Sequence, residues 1–302
     1  MPSETQRLLT AAERLAALTD TLSATFAAEL ADVLRGVERR MGRLLRELDR
    51  ETRVGRITRQ AEVARLASLR DQIRDVLRDS GYDGLAETAT TSAFERAVAT
   101  VRASRAGAQA ARFTVPFLAQ RVEALRVLAV TDLLGQGDEV ARVLYRAVRD
   151  SVLGGAPADV VLERVALALD REVKEIRTLY DTTTATFGRL MEQQASTGTP
   201  DELFLFAGPV DAKMRPFCAD HIGKVYTRAD IQQMDNGQGL DVLLTGGGYN
   251  CRHVWMALSP ASELAPLANT GERAPEVTEA LKDVRPVKRA RAGWAASFSR
   301  VL

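Results

Sequence analysis

From residue 8 to residue 34 the apolar residues Leu8, Leu9, Ala12, Leu15, Leu18, Leu22, Phe26, Leu30, Val33 and Leu34 recur at steps of three and four. That is the period of one helix face, so the segment must form an amphipathic helix that buries a stripe against something. Pro2 and Ser3 supply a start signal. The stripe continues through Met41, Leu44, Leu45 and Leu48, which predicts a first helix of roughly fifty residues. Average globular helices run about 11–12 residues, so such a length points to an elongated bundle or coiled-coil arm.

The same texture extends to residue 198. Gly55 marks the expected break. A second helix carries Val63, Leu66, Leu69, Ile73 and Val76 over about residues 58–79, with Gly81 as its C-cap. Further helices are expected at about 84–104, 117–134 and 137–152, with a turn at "LGGAP" (153–157). Asp159 then opens a helix to about 170, and a longer one covers about 172–196 before "STGTP". Charged residues along these segments read as solvated faces. Aromatics make up only 5% of the 302 residues, and Ala, Leu and Arg dominate, which favours helix over sheet.

At residue 199 the pattern changes. "ELFLFAGPV", with Phe204 and Phe206 alternating, reads as a strand, "KVYT" as another, and "CRHVWMALS" as a third that ends at Pro260. "RADIQQM" is a turn or two of helix, while "DNGQG" and "LTGGGYN" are turn material. Residues 199–260 thus form a small α+β module after the helical region 1–198. So short and glycine-rich a unit has a thin core, which raises the value of a staple. Residues 261–302 read as a flexible, Ala/Pro/Arg-rich tail. From Lys282 to Leu302 it carries six basic residues and one acid.

Length allows about two domains, and 46% hydrophobic with 27% charged residues is ordinary for a soluble protein. With 41 basic and 40 acidic residues the net charge is +1, so a nucleic-acid partner would have to be met by a local patch. No apolar run approaches the ~18 residues of a membrane span. The amphipathic, acid-bearing N-terminus resembles neither a signal nor a transit peptide. Two cysteines make no disulfide scaffold, and a reducing cytoplasm is the default compartment.

The chain has two cysteines and two histidines, and all four fall in one short stretch: Cys218 and His221 in "FCADH", Cys251 and His253 in "GGGYNCRH". Cys218-x-x-His221 suits a turn that points two side chains at one ion. Cys251-x-His253 suits a strand, where residues i and i+2 share a face. Two ligands from each of two segments is the logic of a structural zinc site with Cys2His2 completion. Two alternatives stand beside zinc: a Cys218–Cys251 disulfide, or buried thiols with histidines bonded to backbone. Glycines 246–248 read as a turn, since no helix follows to cradle a phosphate. There is no nucleophile elbow and no HExxH, and Asp211 and Asp220 are the only acid/base candidates beside His221. The site therefore reads as structural, with no catalytic residue assigned.

"GPVDAKMRPFCADHIGKVYTRADI", followed by "DNGQGL" and "GGGYNCRHVW", resembles the C-terminal module of the phage Mu F-like proteins, the phage head morphogenesis (minor head protein) family. The matching positions are Asp211, Arg215, Cys218, Gly223, Lys224, Val225, Cys251, Arg252 and His253, with Arg177 and Thr178 in the similar helices upstream. The resemblance covers about residues 155–260. Many members carry a second cysteine where His221 stands here. The resemblance implies a minor head protein of a tailed phage or prophage that is not an enzyme. It implies association with the portal and other capsid-assembly proteins, an oligomeric setting within the virion, and assembly in the host cytoplasm. The basic tail would touch packaged DNA. A zinc-dependent nuclease or an ADP-ribosylation-type toxin-related enzyme is the alternative, and would need an open metal position.

Overall fold

The computed structural model describes residues 3–53, 59–104, 116–153, 156–194, 196, 198–259 and 261–284. Long helices come first: α1 (Glu4–Arg53), α2 (Arg59–Asp79), α3 (Tyr82–Ser104), α4 (Pro116–Leu153) and α5 (Ala158–Gln194). The fold is mainly helical with a small three-stranded sheet toward the C-terminus, as the apolar spacing implies. α1 is 50 residues long, and its buried side chains are those of the stripe, from Leu8 through Phe26 and Leu30 to Leu45. After α2, Gly81 takes a φ of +93° and donates its N–H to Arg78 O at 2.9 Å, the left-handed cap its sequence position predicts. Gly55 and the two glycines of the "LGGAP" turn lie outside the described residues. No helix among the described residues is long and apolar enough to cross a membrane.

The structure joins two pairs of expected helices. Residues 117–134 and 137–152 are one helix, α4, because Gly135 and Gly137 cost only about 1 kcal/mol each in a helix. Leu133, Val140 and Leu144 on either side are buried on one face and offset that cost. Likewise 158–170 and 172–196 are one helix, α5. Val161, Val165, Leu169, Ile176 and Tyr180 keep one buried stripe across the expected break, and neither Gly nor Pro interrupts it.

Beyond the helices come β1 (Leu203–Ala207), α6 (Pro216–His221), β2 (Val225–Thr227), α7 (Arg228–Gln232), α8 (Val242–Thr245), β3 (Val254–Ala257), a 3-10 turn (Ala265–Leu267) and α9 (Pro275–Lys282). β1 is central and antiparallel to both neighbours, with Phe204 opposite Tyr226 on one side and Ala257 on the other. Phe204, Leu205, Phe206 and Ala207 are all buried, so β1 is covered on both faces and not on alternate residues only. α7 begins with a capping box in which Thr227 and Asp230 satisfy each other's backbone N–H groups.

The chain divides into two compact units, and not at the expected boundary near residue 198. One unit, Thr21–Ala93 with Glu123–Asp181, is built from helices, with Phe26 stacked on Tyr180 at 4.0 Å between ring centroids. The other comprises Met1–Asp20, Phe94–Val122 and Thr182–Leu302. In it Leu8, Ala11 and Ala12 of α1 share a core with Phe204, Phe206 and Trp255 of the sheet. The Thr5 hydroxyl donates to Glu263 at 3.0 Å, and Phe94 stacks on Phe187 at 3.6 Å. The sheet thus gains from helix ends the core that its own short strands lack.

Residues 261–284 were expected to belong to a flexible tail, but they are part of this unit. Leu264, Ala274 and Val277 are buried, and the Ala274 N–H donates to Gly223 O at 2.8 Å. Pro275 opens α9, and Val277 and Leu281 lie one helical turn apart on its packed side. Residues 285–302, with most of the basic charge, lie outside the described residues.

Candidate metal centre

Cys218, Cys251 and His253 meet, and each is 1–3% exposed. Their ligand atoms all lie within 4.8 Å of one another. Cys218 is the third residue of α6, which Pro216 opens. Cys251 and His253 were expected on a strand, but β3 begins only at Val254, and they occupy the irregular segment before it. They still act together: Cys251 Sγ is 3.8 Å from His253 Nδ1, and the two sulfurs are 3.6 Å apart. A disulfide needs about 2.05 Å, and both cysteines are free thiols.

These separations suit a tetrahedral ion. With metal–sulfur bonds of about 2.3 Å and a metal–nitrogen bond of about 2.05 Å, tetrahedral angles place two sulfurs about 3.8 Å apart, and sulfur and nitrogen about 3.6 Å. The imidazole is also in the right tautomer. His253 Nε2 lies 3.1 Å from Pro209 O, and a carbonyl only accepts, so Nε2 carries the proton. Nδ1 is left with a lone pair toward the sulfurs. A second ring nitrogen tied to backbone is the usual outer support of a ligating histidine.

Cys251 sulfur also receives two backbone N–H groups, from Gly247 at 3.2 Å and His253 at 3.4 Å. The hydrogen bond from Cys218 draws the Cys251 thiol well below the ordinary thiol range; burial opposes this, and the Arg189 charge adds to it. Cys218 is pushed up by the same shared hydrogen bond and by burial. The shared contact thus makes Cys251 the more acidic of the two thiols. Gly247 makes room: a Cβ there would stand 2.5 Å from Cys218 Sγ.

His221, expected as the fourth ligand, does not join the group. Its Nδ1 is hydrogen-bonded to Tyr226 Oη at 2.8 Å, and its ring lies against Phe217 at 4.4 Å. The reason is helical. In α6, His221 lies about 40° around the axis from Phe217, four residues back, and about 60° the other way from Cys218. The two acid/base candidates also stand apart. Asp211 takes Arg252 Nη2 at 2.6 and 2.8 Å and the Lys213 N–H at 2.9 Å. Asp220 offers its backbone carbonyl to Arg273.

No protein family, no curated protein and no solved structure matches the chain. What the trio can do therefore follows from its donors. Two thiolates and an imidazole suit a borderline or soft transition metal and not magnesium or calcium, which take oxygen.

One residue beside the trio was not foreseen. Arg189 of α5 is buried, and its guanidinium donates to His253 O at 2.8 Å, to Leu244 O at 3.3 Å and to Cys251 O. One turn on, Gln193 Nε2 donates to Leu243 O at 3.0 Å. Together they fasten residues 243–253 to the helix. The sequence held a signal: Phe187, Gly188 and Met191 around Arg189 are apolar and all buried, so no solvated face is left for it.

Proposed function

We propose that the chain is a minor head protein of a tailed phage or prophage, whose C-terminal unit is stapled by a structural zinc ion at Cys218, Cys251 and His253. The observation that carries this is that the sulfur–sulfur and Cys251 sulfur–His253 Nδ1 separations both match a tetrahedral ion, with His253 Nδ1 freed by the Pro209 carbonyl. Zinc is the metal whose donor preferences and redox-silent chemistry suit a buried staple. Several positions that carry the resemblance also lie around this site. Asp211 pairs with Arg252, and Arg215 donates to Gly247 O at 3.0 Å, so these residues brace the segments bearing the ligands. On this reading the helical unit supplies contact surface for the portal and other capsid proteins, within an oligomeric head. The basic residues past 284 meet packaged DNA through its phosphates, with salt-dependent affinity.

Two measurements test it. Purified chain should hold about one zinc per molecule, lost in Cys251→Ser. Co-expressed with the capsid-assembly proteins encoded alongside it, the chain should be recovered with the portal. Recovery with a cellular enzyme complex and no virion protein overturns the assignment.

A second reading has one observation in its favour. Three protein donors leave a fourth position, the arrangement of hydrolytic zinc enzymes. Against it, the candidate base Asp211 is engaged by Arg252, and the trio is buried away from a nucleic-acid phosphate among the described residues. DNA cleavage by zinc-loaded chain that vanishes in His253→Ala would favour the nuclease.

A further inference from the structure

Arg189 is a buried cation, and among the described residues no carboxylate lies within ion-pair distance of it. Its guanidinium donates to three neutral carbonyls. A buried charge is costly unless an opposite charge compensates it. The group beside it able to carry negative charge is Cys251, because a Cβ on Gly246 would touch both Cys251 Sγ (3.1 Å) and Arg189 Nε (3.6 Å).

Charge balance then constrains the loaded site. Metal-bound cysteines are thiolates and metal-bound histidine is neutral. Two thiolates cancel a divalent ion, so the trio with its metal is neutral and Arg189 is left with an uncompensated positive charge. A neutral fourth ligand keeps that imbalance, whereas a monovalent anion removes it. There is also space for a small one. A cavity of about 20 Å³ beside Cys251 and His253, lined also by Arg189, Arg252 and apolar residues such as Leu15 and Ala97, is roughly the size that holds one water-sized species.

We propose that Arg189 is the residue that selects a small monovalent anion, hydroxide or halide, as fourth ligand of the metal at Cys218, Cys251 and His253. The inference rests on the metal reading of that trio. The anion closes the coordination sphere that His221 leaves open, and Arg189 fixes its charge from outside the sphere.

The test uses the full chain loaded with cobalt(II), whose visible bands report both thiolate ligation and the fourth ligand. In one arm chloride replaces perchlorate at constant ionic strength and pH. In the other pH is raised in chloride-free buffer. The wild type should show a thiolate-to-cobalt band throughout, with ligand-field bands that shift saturably in at least one arm; the responding arm tells halide from hydroxide. Arg189→Met should keep the thiolate band and weaken the anion response by roughly tenfold or more. Arg189→Lys, which keeps the charge, should restore part of it, and it serves if the Met variant loses helical circular dichroism. Wild-type bands that respond in neither arm, or an equal response in Arg189→Met, overturn the inference while leaving the metal in place. No thiolate-to-cobalt band at all overturns the metal reading and this inference together.

Discussion

Cys218 and Cys251, thirty-three residues apart in the chain, bring their sulfurs to 3.6 Å across a gap that only a glycine at position 247 leaves open. A methyl group at Gly247 would meet Cys218 Sγ at 2.5 Å. Gly247→Ala should therefore spread the sulfurs, destabilise the fold by about 1–3 kcal/mol as overpacking does, and reduce bound metal well below one per chain. Urea denaturation and metal analysis on the same preparation check both effects. Full metal occupancy in this variant would show that the sulfurs are not held by that contact.

The two histidines should separate cleanly. His253→Ala removes a ligand, so metal content should fall and so should the thermal midpoint. His221→Ala removes a ring that bonds Tyr226 and rests on Phe217, and should keep its metal. Chelation should then destabilise the wild type and His221→Ala, but not His253→Ala. Excess metal at about 100 times its dissociation constant stabilises by about 2.7 kcal/mol. Loss of metal in His221→Ala would return that residue to the coordination sphere.

His221 also sets a pH dependence. Burial first, then Lys224 and Arg273, lower its pKa below the ordinary histidine value, while Asp220 opposes them. The folded state thus favours the neutral ring, and the unfolded chain takes up the proton more readily. Its contribution is fully present above the unfolded value of about 6.5 and is lost as pH falls through the folded value. The stability difference between wild type and His221→Gln should shrink as pH drops through that window. Protonation of the metal ligands is common to both proteins and cancels in the difference.

How far the sequence led depends on the kind of signal. The α1 stripe and the Gly81 cap were legible because periodicity and turn chemistry act locally. The three strands were legible too, although β1 is buried on both faces, which alternation alone does not reveal. The glycines at 135 and 137 misled, since a helix tolerates glycine when its flanking turns are buried. Residues 261–284 misled because their Ala/Pro composition hid the packed positions Ala274, Val277 and Leu281. For the site, spacing brought out the scarce residues but not the side of α6 on which His221 lies. Arg189 was one arginine among many basic residues, and its burial depends on a loop more than fifty residues away.

Gly137 offers a test in the helical unit. Its α-carbon faces the ring of Tyr82, where a Cβ would stand 2.6 Å from Cε1, and Tyr82 is buried with its hydroxyl donating to Leu133 O at 2.8 Å. Helix propensity alone makes Gly137→Ala stabilising by about 1 kcal/mol. Contact with a locked aromatic ring should reverse the sign, giving a net loss of about 1–3 kcal/mol. The sign separates the two effects, and a double-mutant cycle isolates the contact. Tyr82→Ala should cost about 3–5 kcal/mol by itself. In that background the ring is gone, the propensity gain remains, and Gly137→Ala should become neutral or favourable. The coupling read from denaturant midpoints should then be at least 1 kcal/mol. Costs that simply add would mean that helix and ring do not touch as described.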